Sequence, residues 1–141
     1  MGNTTLNGVA IQAVVAEAVL AREIFDRLRQ ATAGDTSVLA ELCGEFIAEA
    51  RSTIGNLRNA LAENNAAEFR ERAHYLKGSS LMIGAQQLSQ SCATLEQMGR
   101  DSDLSSAGPV LDKAVAALKA VEEELAKDVG PVVLPAEGSA A

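Results

Sequence analysis

His74 is the only histidine among the 141 residues of this chain. Lys77 and Gly78 follow it by three and four positions, the spacing that puts side chains on one face of a helix. Imidazole is substantially neutral near pH 7 and then offers a nitrogen lone pair for attack. A lysine ammonium is a compact positive charge suited to phosphoryl oxygens. A glycine one turn away removes a side chain where those oxygens would sit. Phosphoryl transfer asks mainly for positioning and charge neutralisation, so this sparse set is chemically sufficient if a partner supplies the rest. Other chemistries fare worse. One histidine with Cys43 and Cys92 does not make a zinc ligand set, and no metal site is expected. The histidine lacks a companion nucleophile for hydrolysis. Neither a G-x-x-x-x-G-K-[ST] loop nor a G-x-G-x-x-G turn occurs, so no ATP site is expected and a self-sufficient kinase is excluded.

Helices must present these residues. No alternating strand pattern occurs, and five segments show a spacing of three and four between apolar positions. The first is expected over 7–30, with Ile11, Val14, Ala18, Ala21, Phe25 and Leu28 as its stripe. Ala33-Gly34 ends it, and Asp35 or Thr36 can cap the second helix. That helix has Leu39, Leu42, Phe46, Ala50, Ile54, Leu57 and Leu61 as its expected buried face. Asn65 with Glu68 resembles a capping box for the third helix, which Gly84 stops. A fourth carries Leu88, Cys92, Leu95 and Met98 to an end at Gly99. A fifth has Pro109 in its first turn and runs to about Lys127, with Leu111, Ala114 or Val115, Leu118, Val121 or Glu122, and Leu125. Short connections between long helices favour antiparallel neighbours. The fold class is therefore all-α: an up-down antiparallel four-helix bundle with an additional N-terminal helix. The expected division is 1–34 for the added helix, 35–127 for the bundle and 128–141 for a tail with two prolines.

On a wheel of ~100° per residue, Phe69, Ala73, Leu76, Ser80 and Ile83 form the core face of the third helix, and His74 lies roughly 140° away. Arg70, Glu71 and Leu81 share the histidine's face, flanked by Tyr75 and Met82. Gly78 is costly in mid-helix, by about 1 kcal/mol relative to alanine. Taken singly, an outward histidine, a helical glycine and an exposed leucine are ordinary. Together they place a nucleophile, a cation, a steric clearing and an apolar spot on one surface.

The net charge of −7 opposes binding to nucleic acid or anionic membranes and points to protein partners. Cys43 and Cys92 fall on apolar faces and read as small buried hydrophobes of a reducing compartment rather than a disulfide. Neither a secretory leader nor a membrane-spanning run is evident, so a cytoplasmic location is expected.

The run His74-Tyr75-Leu76-Lys77-Gly78-Ser79-Ser80, followed by Ile83-Gly84-Ala85, resembles the signature of histidine-phosphotransfer (HPt) domains. The resemblance implies a four-helix bundle whose histidine relays phosphoryl groups between a receiver aspartate or sensor histidine kinase module and a response-regulator receiver. It makes His74 the phosphorylated residue, Lys77 the phosphate-side cation and Gly78 the clearing, with Ser79 and Ser80 as small packing residues. No cofactor is expected on this chain, and Mg would come with the receiver. Arg70, Tyr75, Leu81 and Met82 are the candidate binding surface. Many members carry a glutamine on the following helix, near the active histidine; the matching position here is Glu96. A carboxylate can raise the basicity of the imidazole, yet it would repel a phosphoryl group. On the wheel Glu96 falls beside the Leu88–Cys92–Leu95 stripe, from which it could reach the groove by the third helix and join the binding residues; a helix-edge charge in solvent is the alternative reading. The alternative function is a non-catalytic helical protein that docks on and regulates a receiver or histidine kinase.

Overall fold

The computed structural model describes residues 18–130, which form five α-helices and no strand. They are α1 (Arg22–Ala31), α2 (Thr36–Ala62), α3 (Ala66–Ile83), α4 (Gln86–Arg100) and α5 (Ala107–Val129). Helices α2 to α5 close a ring in which each packs on its chain neighbours and α5 returns to α2. Arg51 of α2 pairs with Glu122 of α5 at 2.7 Å, and Arg58 and Leu61 of α2 lie beside Leu111 and Asp112 at the other end of α5. The two helices therefore run antiparallel. Among the described residues, the most extensive contact between helices is that of α3 with α4.

Local chemistry explains the boundaries. The Asp35 carboxylate accepts from the backbone N–H groups of Ser37 and Val38, at 3.0 and 3.3 Å, and starts α2. Asn65 Oδ1 accepts from the N–H of Glu68 at 3.1 Å and starts α3. The expected capping box is only half made, because the Glu68 carboxylate pairs forward with Arg72 at 3.0 Å. Gly84, at φ +86°, turns the chain out of α3 in the left-handed conformation.

The core is built from leucines and isoleucines interleaved with small residues. Leu39, Cys43, Ile47, Ala50 and Leu57 of α2 face Phe69, Ala73 and Leu76 of α3, Leu88, Cys92 and Leu95 of α4, and Leu111, Ala114 and Leu125 of α5. The α2 face differs from the expected one: Cys43 and Ile47 are fully buried, whereas Leu42 is 39% exposed and Phe46 only partly covered. The two candidate stripes are adjacent on the helix, and close packing of the bundle seats the smaller side chains. On α5, Ala114 and Val121 occupy the core, settling the two open alternatives. Both cysteines are free and buried; burial pushes the Cys43 thiol up to about 11 and that of Cys92 to about 12.

The first helix is shorter than expected. It starts at Arg22, not within 18–21, because that segment is spent on bridging the α3–α4 corner. The N–H of Ala21 donates to the carbonyl of Gly84 at 2.6 Å, and the N–H of Gln87 donates to the carbonyl of Ala18 at 3.1 Å. Phe25 is fully buried, with the guanidinium groups of Arg22 and Arg29 5.8 and 5.4 Å from its ring centre. Both arginines pair with Asp128 of α5, at 2.7 and 2.9 Å. Glu122 and Glu124 are half-buried partners of Arg51 and Arg22. The last helix continues two residues past Lys127, to Val129. The expected helix start at Asn7, with Ile11 and Val14, and the tail beyond Gly130 lie outside the described residues. Among the described residues, no helix is long and apolar enough to cross a membrane.

Candidate functional site

The core face of α3 fixes the outward direction of His74. Phe69, Ala73, Leu76 and Ser80 are each at most 1% exposed, and the Ser80 hydroxyl donates back to the Leu76 carbonyl at 2.7 Å. With α3 held this way, the His74 side chain stands 69% exposed. Lys77 is on the same side and partly covered. A methyl group at Gly78 would meet nothing within 4 Å, so this glycine marks no helix crossing and leaves open space one turn from the ring.

The crossing glycine is Gly99. A Cβ there would lie 2.7 Å from the Cβ of Arg70 and 2.8 Å from its backbone nitrogen. Gly99 therefore continues the last turn of α4 instead of ending it, and lets α4 approach α3 at closest range. That approach delivers Glu96, one turn earlier, to the histidine. The Glu96 side chain is 6% exposed, and its Oε2 lies 2.9 Å from Nδ1 of His74. Its Oε1 forms an ion pair with Nζ of Lys77 at 2.7 Å, close in distance although not aligned as a hydrogen bond. Arg100 Nη2 donates to Oε2 at 3.1 Å.

Glu96 is thus a buried carboxylate ringed by three basic side chains, not a solvated helix-edge charge. Lys77 first, and His74 after it, hold its carboxyl below the ordinary carboxylate range, outweighing the upward push of burial. With Nδ1–H donating to Glu96, the free lone pair of the imidazole is on Nε2. That nitrogen can attack an electrophile approaching from solvent.

The remaining expected residues are distributed around this centre. Arg70 and Tyr75 line a surface depression with His74, Glu96 and Arg100. Tyr75 is 45% exposed, and the Glu49 carboxylate of α2 at its hydroxyl raises the phenol above its ordinary pKa. Leu81 and Met82 are exposed on α3, as are Val38 and Leu42 on α2. Register counted from the Glu49–Tyr75 pair sets Leu42 level with Met82. Ser79 is half-buried, its hydroxyl donating to the Tyr75 carbonyl at 3.2 Å. Sequence reasoning missed Arg100 and the crossing role of Gly99. The signal for Arg100 was its position four residues after Glu96.

Comparison with known proteins agrees with this fold. The Hpt domain family model matches residues 41–127. Histidine-containing phosphotransfer protein B of Pseudomonas aeruginosa superposes with a TM-score of 0.72 at 22% identity, over 77% of this chain and 92% of that one. The histidine phosphotransfer signaling protein of Saccharomyces cerevisiae, crystallised with the receiver domain of its downstream response regulator, gives a TM-score of 0.67 at 19% identity, over 83% and 98%. At these identities the two structures show a shared fold. The comparison with curated proteins returned no match.

Proposed function

The chain belongs to the Hpt domain family, and on that premise we propose that it is a phosphorelay intermediate whose His74 takes a phosphoryl group from a receiver aspartate or kinase module and passes it to a response-regulator receiver. As a family member it is a phosphotransfer carrier rather than a classical kinase. The observation that carries the reading is the pairing of an exposed imidazole with a buried acceptor: Nδ1 is held and Nε2 is free.

In the accepting step, Nε2 forms a P–N bond while the P–O bond to the donor aspartyl carboxylate breaks. The carboxylate leaves with the electron pair, and Nδ1 keeps its proton toward Glu96. The donating step is the reverse, with the P–N bond breaking and the neutral imidazole restored. Lys77 supplies positive charge to the phosphoryl oxygens, and the space at Gly78 admits them. The Mg ion that neutralises charge in such transfers is assigned to the receiver. The strip of Tyr75, Leu81 and Met82, extended by Val38 and Leu42, is the assigned docking surface for a receiver, and Arg70 borders it. We also assign the chain a cytoplasmic location with its receivers, no ATP site of its own, and the division into an added N-terminal helix, the bundle and a tail.

The relay function is tested by onward transfer. The chain is loaded at His74, freed of donor and mixed with candidate receiver domains. Loss of label from this protein with matching gain on a receiver aspartate is expected. A loaded protein that exchanges with no receiver would leave a docking regulator as the better account.

A further inference from the structure

Glu96 poses a charge problem for a phosphate carrier. Its carboxylate touches the ring that is to bear a phosphoryl group, and like charges at such range oppose each other. Arg100 stands where this can be resolved. The Oε2 atom that faces His74 Nδ1 at 2.9 Å also accepts from Arg100 Nη2 at 3.1 Å. The other arm of the guanidinium donates to Gln97 Oε1 at 3.1 Å, and Gln97 in turn donates to Asp101 at 3.0 Å, so the arginine is held from both sides. It is about half exposed and borders the same depression as His74.

We propose that Arg100 is the charge-compensating residue of the site: it neutralises Glu96, so that a carboxylate can hold the Nδ1 edge of His74 without repelling a phosphoryl group on Nε2. The inference rests on the reading of His74 as the carrier. At rest, Glu96, Lys77 and Arg100 leave one positive charge beside the ring. A phosphoryl group on Nε2 brings about two negative charges, and with Nδ1 still protonated the ring gains one positive charge, so the loaded cluster is neutral. Without Arg100 the loaded cluster is one negative. If Glu96 and Arg100 are both made neutral, the loaded cluster returns to neutral, as in the wild type. Arg100 acts through Glu96 and is a positioning residue. An ion pair that serves only stability would contribute little at such exposure and would not tie the reaction rate to residue 96.

The test uses the whole chain and phosphoramidate as phosphodonor, with phosphohistidine followed by phosphorus NMR. In this reaction Nε2 forms the P–N bond, the donor's P–N bond breaks, and ammonia leaves. Arg100→Gln should slow the initial rate roughly five- to tenfold in the wild-type chain, but less than about twofold when made in the Glu96→Gln chain. Arg100→Lys should keep most of the rate. Added salt should speed the Arg100→Gln protein relative to wild type by screening the uncompensated charge. Equal slowing by Arg100→Gln in both backgrounds, or no slowing in either, would overturn the inference while leaving His74 as carrier. A wild-type chain that takes no phosphoryl group would remove the carrier reading and this inference with it.

Discussion

Nδ1 of His74 lies 2.9 Å from Oε2 of Glu96, joining a ring that is mostly in solvent to a carboxylate that is almost wholly out of it. The asymmetry has a chemical use. The buried partner cannot swing away, so it orients the exposed ring and fixes which nitrogen is free. Two cations hold the same carboxylate, Lys77 at 2.7 Å and Arg100 at 3.1 Å, which offsets the cost of burying it.

The titration of Glu96 should be visible in stability. Its carboxyl sits below the ordinary value of 4.5 in the folded chain, chiefly because of Lys77. The folded state then binds fewer protons than the unfolded state at acidic pH. The contribution is complete above the unfolded value and is lost as pH falls through the lower folded value. Urea unfolding of wild type and Glu96→Gln should therefore be compared from neutral to acidic pH. The difference should move against the wild type below about 4.5. Parallel curves down to pH 3 would mean that Glu96 is not held low.

Gly78 should separate stability from chemistry. Its surroundings are open, so Gly78→Ala should stabilise the fold by about 1 kcal/mol through helix propensity alone. The same space is needed by phosphoryl oxygens in the relay. Gly78→Arg should fold and yet transfer on the order of a hundredfold more slowly, through lost in-line geometry. Thermal unfolding and transfer rates on the same samples check both halves.

Gly99 should behave in the opposite way. A methyl group there would strike the Arg70 backbone, and α4 must shift for it to fit. Gly99→Ala should destabilise by roughly 1–3 kcal/mol, the usual cost of overpacking. Gly55→Ala, into open space on α2, should instead stabilise by about 0.5–1 kcal/mol. Denaturant titrations of the two variants make the comparison.

The strip beside the histidine should set receiver affinity. Leu81 and Met82 are 44% and 78% exposed, and a charge placed among them would have to be desolvated on docking. Leu81→Asp should raise the receiver concentration needed for half-maximal transfer roughly tenfold or more. An unchanged concentration dependence would move the docking surface elsewhere.

Much of this was legible in the residues. The spacing of Phe69, Ala73, Leu76 and Ser80 settles where His74 points, because a helix with one buried face has no freedom to rotate. Four bundle helices could be placed from caps and breaks such as Asp35, Asn65 and Gly84. Three features were not legible, for physical reasons. Leu42 and Cys43 are neighbours on the wheel, and only the packing distance between helices decides which is buried. Gly99 reads as a helix end by composition, but it is a crossing set by Arg70 on another helix. The 18–21 segment has helical periodicity, yet backbone hydrogen bonds to Gly84 and Gln87 pull it straight. Glu96 could be placed beside the Leu88–Cys92–Leu95 stripe from its own helix, and the Gly99 crossing is what completes its burial.

The central claim is that His74 carries the phosphoryl group on Nε2. Because the chain has one histidine, the measurement is direct: load the full chain from a phosphorylated receiver and characterise the product by phosphorus and imidazole-nitrogen NMR. One acid-labile, alkali-stable phosphoryl group per chain is expected, bonded to Nε2, and none on a folded His74→Ala protein. A label that is acid-stable, or that persists on His74→Ala, would contradict that claim.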